Sequence, residues 1–311
     1  MYKGKVISIS VPAHNEQNHI AGVITGMPDF VDFICIVDDT STDDTAAVAE
    51  ATGDPRVHVV RHEVNKGVGG AIITGHRKGM ELDCDISVVM AGDGQMDPAY
   101  LPKLLDPLID DTFGFSKANR FFSMDSFRGM PGYRVFGNVV LSFLTKVASG
   151  YWNLFDPQNG YTAITRSNLD RLNLDRISER YEFENDLLVN LNILDVRATD
   201  VAVPAVYGEE VSGIRLHRVM PAIAWLLVRG FWKRLIWKYV MRSFSPIALF
   251  FFTGLALLIW SVAFGIWVLA ETLGPSTAST GTVLLSVVPF MTAVQCLLSA
   301  LVLDIQASPD R

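Results

Sequence analysis

Two stretches near the carboxyl end constrain this chain more than any other feature. Residues 244–270 and 282–303 contain no charged side chain. Each is longer than the roughly 20 apolar residues with which an α-helix crosses a bilayer. Helices in the core of a soluble protein seldom run that far without a charge. The sequence therefore predicts a two-span transmembrane hairpin over 244–303, followed by a short tail at 304–311.

The flanks of this hairpin differ in charge. Residues 211–242 contain seven arginines and lysines and no acidic residue, whereas the connection 271–281 is short and nearly neutral. Basic flanks stay on the cytoplasmic side of a membrane. We therefore expect a multi-pass protein of a cell or ER-type membrane, with residues 1–210 and the tail in the cytoplasm. The chain runs straight into a strand, so we expect no cleavable signal peptide.

Residues 211–243 combine apolar and basic side chains at helical spacing. Most of the cations fall opposite the apolar face, which consists of Trp225, Val228, Trp232, Leu235, Ile236 and Tyr239. This pattern is typical of a helix that lies in a membrane interface, with its cations toward anionic headgroups. A helix that binds a soluble partner is the alternative. Membrane lipid is thus an expected partner of this segment.

Residues 1–210 have the composition of a soluble domain. Short apolar runs alternate with helical patterns through the first hundred residues, and these runs are 6–11, 33–37, 57–61 and 86–90. Such alternation predicts an α/β domain, a mostly parallel sheet with helices on both faces. Further along, residues 115–120 favour an edge strand. The formal net charge of −7 argues against nucleic-acid binding, which requires a basic surface.

Polar residues follow the fourth strand directly. Gly92, Asp93 and Gln95 come just after the run 86–90. Open α/β sheets bind ligands at the carboxyl ends of their strands. A carboxylate and a neutral oxygen donor suit a hard divalent cation. A Gly/Asp turn without a ligand is the alternative.

Asp38 and Asp39 end the second strand. Two adjacent carboxylates are costly to bury without partners, and the donors of a ribose or a base are one way to satisfy them. Capping of the next helix by Ser41, Thr42 or Asp43 explains part of the acidic cluster that follows. The glycine-rich segment 65–71 opens another helix, which is a phosphate-binding arrangement, but its spacing is neither that of a Walker loop nor that of a dinucleotide-binding fingerprint.

Arg120 and Arg134 belong to a segment with an excess of basic residues. Because the planar fork of arginine matches phosphate oxygens, these residues favour an anion pocket, with a solvated surface as the alternative. Glu184 and Asp186 lie in the first turn of a predicted helix, where the helix dipole favours carboxylates.

In this order the motifs resemble the family 2 glycosyltransferases of the GT-A fold. They are the proline turn with Asn15-Glu16, residues 38–43, Asn65-Lys66-Gly67 and Gly92-Asp93-Gly94-Gln95. Arg120, Arg134, residues 156–161, the basic helix and the spans resemble a narrower group, the polyprenyl-phosphate sugar transferases of the dolichol-phosphate mannose synthase type. Two departures are visible, because the first aspartate of the family's Asp-x-Asp motif falls at Ala91, and Tyr161-Thr162 replaces Phe-Arg.

The resemblance implies a GT-A-type (Rossmann-like) domain that moves a sugar, with inversion, from a nucleotide-diphosphate sugar (GDP-mannose or UDP-glucose type) to a polyprenyl or dolichyl phosphate. It assigns the donor to Pro12, Ala13, Asn15, Glu16, Asp38, Asp39, Lys66, Gly92 and Asp93. It assigns a Mg²⁺ or Mn²⁺ ion to Asp93 and Gln95. It assigns the acceptor phosphate to Arg120, Arg134, Gln158, Gly160 and Tyr161.

Two other functions stay open. A membrane transferase that acts on a lipid or glycan hydroxyl would need a general base, for which Asp186 is the candidate; with Asp93, Arg120 and Arg134 it completes the expected catalytic set. A nucleotide-sugar-binding membrane assembly protein without activity is the second alternative, and Ala91 motivates it. Two spans are also compatible with a homo-oligomer.

Overall fold

The computed structural model describes residues 1–121, 132–156, 159–204, 216–273 and 278–309, without the side chains of 133–135 and 216–220. These residues divide into two compact units. The first is Met1–Phe231 with Pro309–Arg311, and the second is Trp232–Ser308.

Seven strands among the described residues of the first unit form one sheet. They are β1 Ile7–Ala13, β2 Phe33–Asp38, β3 Val57–Arg61, β4 Ile86–Val89, β5 Phe115–Asn119, β6 Thr162–Thr165 and β7 Ala198–Ala202. Their order across the sheet is β3-β2-β1-β4-β6-β5-β7. Strand β6 is antiparallel to β4 and β5, and the other neighbouring pairs are parallel. The prediction of a mostly parallel sheet is confirmed.

Helices cover both faces of this sheet, as predicted. One apolar core contains Ile24, Ala49 and Leu104, and the other, on the opposite face, contains Ile72 and Leu187. The helices of the described chain are α1 Ile20–Thr25, α2 Thr45–Ala51, α3 Gly67–Glu81, α4 Leu101–Ile109, α5 Gly132–Ser149, α6 Arg166–Arg171, α7 Phe183–Ile193, α8 Leu216–Arg234, α9 Pro246–Thr272 and α10 Thr280–Gln306. Short 3₁₀ turns lie at Pro98–Tyr100 and Leu174–Arg176, and a π-helical segment, Leu235–Arg242, follows α8.

The prediction that residues 115–120 form an edge strand is wrong. Strand β5 lies between β6 and β7, and β7 was not predicted. The short sequence of β7, Ala-Thr-Asp-Val-Ala, has little apolar character and carries no clear strand pattern. Its pairing places Asp200 directly opposite Lys117 of β5.

Close packing of α3 on β1 brings the start of this helix to the carboxyl edge of the sheet. A Cβ atom added at Gly75 would lie 1.9 Å from Oγ of Ser10, so only glycine allows this approach. The next residue, His76, is 2 % exposed, and its Nδ1 lies 2.7 Å from Oγ of Ser87. Helix α3 therefore contributes polar as well as apolar groups to the core.

We expect His76 to make the first unit sensitive to acid. Burial lowers the pKa of His76 from its ordinary value of 6.5 to about 4. Between these two pH values only the unfolded chain takes up the proton, so stability is complete above pH 6.5 and is lost as the pH falls toward 4. The loss from this one group is about 3 kcal/mol. Chemical unfolding of the full-length protein from pH 7 to 4 measures this loss.

The His76→Gln variant should lose less stability over this range, whereas the exposed-site control His19→Gln should follow the wild type. Parallel curves for wild type and His76→Gln would contradict the prediction.

Two helices of the second unit, among the described residues, are long and apolar enough to cross a membrane: α9 and α10. They pack closely at Gly254, where an added Cβ would lie 2.9 Å from Cγ of Leu297 and 3.1 Å from the carbonyl oxygen of Ala293. The two long apolar helices expected from the charge-free stretches are therefore present.

The expectation that the cations before the first span face lipid headgroups is wrong for Arg234 and Lys238, which are both buried. The guanidinium group of Arg234 donates to both carboxylate oxygens of Asp304, at 2.5 and 3.1 Å. The hydroxyl of Tyr239 donates to the same carboxylate at 2.6 Å. Asp304 lies just beyond the second charge-free stretch, and it supplies the counter-charge that allows Arg234 to be buried.

Candidate active site

A pocket of about 300 Å³ lies where β1, β2 and β4 end. Six of the nine residues assigned to the donor line it, namely Pro12, Ala13, Glu16, Asp39, Gly92 and Asp93. The start of α3 closes one side, with Gly67 and Val68 in the wall. The pocket therefore occupies the carboxyl edge of the sheet, where this fold class binds ligands.

Asp39 holds the start of α3 against the end of β2. Its side chain is 5 % exposed, and its Oδ1 accepts hydrogen bonds from Nδ1 of His62 at 2.7 Å and from the backbone N–H of Lys66 at 2.9 Å. Its Oδ2 accepts from the N–H of Gly67 at 2.8 Å. The protein itself thus supplies donors for this buried carboxylate. Sequence reasoning missed His62, because nothing in the local pattern links it to Asp39.

The other three residues assigned to the donor are not part of the pocket wall. Oδ1 of Asp38 accepts from the N–H of Ser41 at 3.0 Å, and Oδ1 of Asn15 accepts from the N–H of Thr42 at 2.8 Å. Lys66 contributes only its backbone N–H, which donates to Asp39. The Asn15–Thr42 contact joins the loops after β1 and β2, whereas the other two hold the turn after β2 and join it to the start of α3. All three support the pocket from outside.

Asp93 forms the part of the wall that follows β4. It is half-buried, and its Oδ1 accepts from the backbone N–H of Gln95 at 3.0 Å. The loop reaches this position because residue 92 is glycine, since an added Cβ would lie 3.2 Å from the carbonyl oxygen of Pro12 and 3.3 Å from Cβ of Ala13. The loop after β4 is therefore in direct contact with the end of β1.

A divalent cation fits this wall only if the protein and the substrate both supply ligands to it. Within the described residues, no group of three or more His, Cys, Asp or Glu side chains is arranged to hold a metal ion. Mg²⁺ commonly takes one or two protein carboxylates together with substrate phosphates and water. Asp93 at the pocket wall, with Gln95 beside it, meets that smaller requirement, and Ala91 in place of a second aspartate is compatible with it.

Arg120 follows β5 and is fastened to Asp156. Nε and Nη2 of Arg120 donate to the two carboxylate oxygens at 2.8 and 2.9 Å, and its backbone N–H donates at 3.2 Å. Burial alone would raise the pKa of Asp156, but the hydrogen bonds and charge of Arg120 outweigh it and keep the pKa below its ordinary value. The Arg120 side chain stays 38 % exposed, whereas that of Asp156 is 2 % exposed. The guanidinium group is thus held in place by Asp156, while more than a third of the Arg120 side chain stays exposed.

Gly160 and Tyr161 connect this region to the loop after β4. Tyr161 is buried, and its hydroxyl donates to the carbonyl oxygen of Asp97 at 3.2 Å. A Cβ added at Gly160 would lie 3.6 Å from Oε1 of Glu184 and 3.7 Å from Cε of Met96. Burial raises the pKa of Glu184 to about 7. Sequence analysis had assigned Glu184 no role beyond the helix dipole.

The carboxylate of Asp186 forms hydrogen bonds to residues around the start of α7. Its two carboxylate oxygens accept from the backbone N–H of Ser178 and from Nδ2 of Asn190, each at 3.0 Å. It does not line the pocket. Two further residues with expected roles, Gln158 and the side chain of Arg134, lie outside the described part of the chain.

Sequence analysis also missed two residues at the pocket rim. Arg180 and Tyr181 line the pocket from the segment that precedes α7, and both are exposed. This segment reaches the pocket because the N–H of Gly70 donates to the carbonyl oxygen of Glu179 at 2.8 Å. The guanidinium group of an arginine at the rim can donate two parallel hydrogen bonds to phosphate oxygens. An arginine in the polar segment before a predicted helix gives no signal of such a position.

Residues 8–172 match the family described as glycosyl transferase family 2. The UDP-N-acetylglucosamine–dolichyl-phosphate N-acetylglucosaminyltransferase of Methanococcus voltae is 32 % identical over 220 residues, which cover 66 % of this chain and 87 % of that protein. The undecaprenyl-phosphate mannosyltransferase of Micrococcus luteus is 30 % identical over 210 residues, with coverages of 66 % and 85 %.

Glucosyl-3-phosphoglycerate synthase of Mycobacterium tuberculosis, solved with Mn²⁺, uridine diphosphate and glucosyl-3-phosphoglycerate, is similar in structure. The TM-score is 0.55 at 24 % identity, over 74 % of this chain and 80 % of that one. This likeness concerns the fold, and it confirms the GT-A-type architecture that the motifs predicted.

Proposed function

Since the chain belongs to glycosyl transferase family 2, we propose that it transfers a sugar from a nucleotide-diphosphate sugar to a polyprenyl or dolichyl phosphate at a membrane. The donor is of the GDP-mannose or UDP-glucose type. The names of the relatives from Methanococcus voltae and Micrococcus luteus, a dolichyl-phosphate and an undecaprenyl-phosphate transferase, support this acceptor.

The observation that carries this proposal is the common edge of the sheet at which Asp93 and Arg120 lie. Strands β4 and β5 are both antiparallel to β6, which lies between them, so β4 and β5 run in the same direction. Asp93 follows the first of these strands and Arg120 follows the second. A carboxylate suited to a cation and a guanidinium group suited to a phosphate therefore stand at the same edge, as transfer from a diphosphate to a phosphate requires.

The chemistry of the step follows from these groups. An oxygen of the acceptor phosphate attacks the anomeric carbon, the bond from that carbon to the diphosphate breaks, and the nucleoside diphosphate leaves with the bonding electrons. Phosphate is already an anion at neutral pH, so the protein needs no general base; Arg120 orients it, with Arg134 in the same expected role. A Mg²⁺ or Mn²⁺ ion, which Asp93 and Gln95 would hold, supplies charge neutralisation on the leaving diphosphate. Arg180 at the rim is a second cationic group for that diphosphate.

An exposed apolar face on the first unit supports action at a membrane. Helix α5 turns apolar side chains outward, with Phe136 71 % and Phe143 56 % exposed. The same helix buries polar side chains, Ser142, Thr145 and Ser149. Contiguous apolar surface of this kind marks a contact with lipid or protein. Helix α8 packs beside α5 and exposes Trp225. We propose that this face lies on the bilayer and that α9 and α10 span it.

The organisation proposed for the chain follows from these points. Residues 1–210 form the transferase domain on the cytoplasmic side, 211–243 lie in the membrane interface, and 244–303 form the hairpin. The orientation rests on the basic flank before the first span.

A panel of donors and acceptors tests the proposal. Full-length protein in lipid nanodiscs with Mg²⁺ or Mn²⁺ is incubated with GDP-mannose, UDP-glucose or UDP-N-acetylglucosamine. The acceptor is a short polyprenyl phosphate, and the matched control is the polyprenol without its phosphate. We expect a glycosylated phospholipid, identified by its mass, from one or more donors. Transfer to the polyprenol instead would support a hydroxyl acceptor, and release of no nucleoside diphosphate with any pair would reject transferase activity.

Replacement of Arg120 tests the assignment of the acceptor site. In Arg120→Gln the side chain loses the charge that orients the phosphate, so the KM for the polyprenyl phosphate should rise by about 10- to 100-fold. The KM for the nucleotide sugar should change little. Arg166→Gln is the matched control, since Arg166 also forms a double hydrogen bond to a carboxylate, that of Asp170, but on α6. Equal effects of the two replacements on the acceptor KM would contradict the assignment.

A further inference from the structure

Lys117 is a buried cation that the proposed chemistry does not use. It lies in the middle of β5 and is 1 % exposed. Its ammonium group donates to the carbonyl oxygen of Phe155 at 2.9 Å, to the carbonyl oxygen of Asp156, and to that of Ala118 at 3.4 Å. An ammonium group has three N–H donors, so these three carbonyls use all of them. Burial lowers the pKa of Lys117, because a buried site disfavours the charged form.

The same short segment is also held from the neighbouring strand. The N–H of Phe155 donates to Oδ2 of Asp200 at 2.5 Å, and Asp200 is the β7 residue paired with Lys117. Nδ2 of Asn119, on β5, donates to the same oxygen at 3.1 Å. Burial raises the pKa of Asp200 to about 6, and the charge of Lys117 opposes this rise. Charged groups on two adjacent strands therefore fix both the N–H and the carbonyl group of Phe155.

Asp156 is in consequence held at two points by β5 and the residue that follows it. Lys117 binds its carbonyl oxygen, and Arg120 binds its carboxylate. The hydrogen bonds between Arg120 and the carboxylate of Asp156 determine where the guanidinium group points. The hydrogen bond from Lys117 to the carbonyl oxygen of Asp156 determines where that carboxylate lies.

We infer that Lys117 is a positioning residue for the acceptor anion, because it holds the Phe155–Asp156 backbone in the place from which Asp156 directs Arg120. The inference rests on the proposed function for the identity of that anion, a lipid phosphate. Lys117 itself touches neither substrate.

Kinetics of Lys117→Met test the inference in the full-length protein. Methionine has a similar length without the charge or the donors. Lys146→Met is the matched control, since Lys146 donates to the carbonyl oxygen of Trp152 at 2.7 Å and lies 5.2 Å from the ring centre of Phe155, yet bonds none of the three carbonyls that Lys117 holds. We expect the KM for polyprenyl phosphate to rise by about tenfold in Lys117→Met, with the donor KM within about twofold of wild type. The control should change neither by more than about twofold. A similar rise in both KM values, or none, would overturn the inference.

If Lys117→Met does not fold, Lys117→Gln replaces it, since the amide keeps two donors without a charge. The acceptor KM should again rise while the donor KM stays, and an unchanged acceptor KM counts against the inference.

Amide hydrogen exchange separates a failure of the inference from a failure of the proposed function. Peptides that cover residues 150–161 are followed in full-length wild type and in both lysine variants, without any acceptor. Exchange should be about tenfold faster in Lys117→Met than in wild type, and unchanged in Lys146→Met. If the wild type glycosylates no lipid phosphate, the proposed function fails. If exchange in Lys117→Met is the same as in wild type, the role of Lys117 is rejected, whatever the outcome of the transfer assay.

Discussion

Asp93→Asn should lower the rate of sugar transfer by about 100- to 1,000-fold. Asparagine has the same shape and can still accept the N–H of Gln95, which Asp93 accepts at 3.0 Å, so the loop after β4 should keep its conformation. What is lost is the negative charge at the pocket wall, on which the proposed binding of a divalent cation depends. Initial rates measured over a range of Mg²⁺ and Mn²⁺ concentrations provide the test.

Asp97→Asn is the matched control for this experiment. Asp97 belongs to the same loop, and its carboxylate caps the turn Pro98–Tyr100 by accepting the N–H of Ala99 at 2.8 Å. Asparagine caps a helix as well as aspartate does, so activity should stay within about twofold of wild type. A metal titration of Asp93→Asn that follows the wild-type curve would reject Asp93 as a ligand.

Arg234→Met should reduce the free energy of unfolding by about 3–5 kcal/mol. The replacement leaves the carboxylate of Asp304 buried without its cation, and both side chains are almost inaccessible, at 2 % and 9 % exposed. Chemical unfolding of the detergent-solubilised protein, followed by tryptophan fluorescence, measures the loss. Arg229→Met is the control, because Arg229 is an exposed cation of α8.

A second replacement distinguishes an unpaired charge from lost packing. Adding Asp304→Asn to Arg234→Met removes the charge but leaves an oxygen that the hydroxyl of Tyr239 can reach, as it now reaches Asp304 at 2.6 Å. The double variant should recover most of the stability, because a buried pair replaced as a whole costs little. A double variant no more stable than Arg234→Met would show that the destabilisation has another origin.

The parts of the site that lie on one strand and the turn after it could be predicted. Asp93 and Gly92 follow a short β-branched run, and Asp39 follows another. Parallel strands bring their carboxyl ends to one edge, so a strand pattern is enough to place these residues together. The long apolar helices α9 and α10 were equally predictable, because a charge-free stretch of that length has few other structures available.

The partners of the buried charges could not be predicted. His62 and the N–H groups of Lys66 and Gly67 meet Asp39 across more than twenty residues of chain, and Asp304 meets Arg234 across seventy. Each of these residues would be equally normal on a solvated surface. Their pairing depends on which elements pack together, and local periodicity contains no information about that.

The sequence alone was therefore sufficient for the alternation of strands and helices, the sheet edge at which the pocket lies, and the family resemblance, since each depends on short-range patterns. Tertiary contacts alone decided that Lys117 is buried beneath Asp156, that Asp186 is bound to Ser178, and that Arg234 faces a carboxylate instead of lipid. The physical reason is the cost of burying a charge, which is met only by a partner that folding brings near.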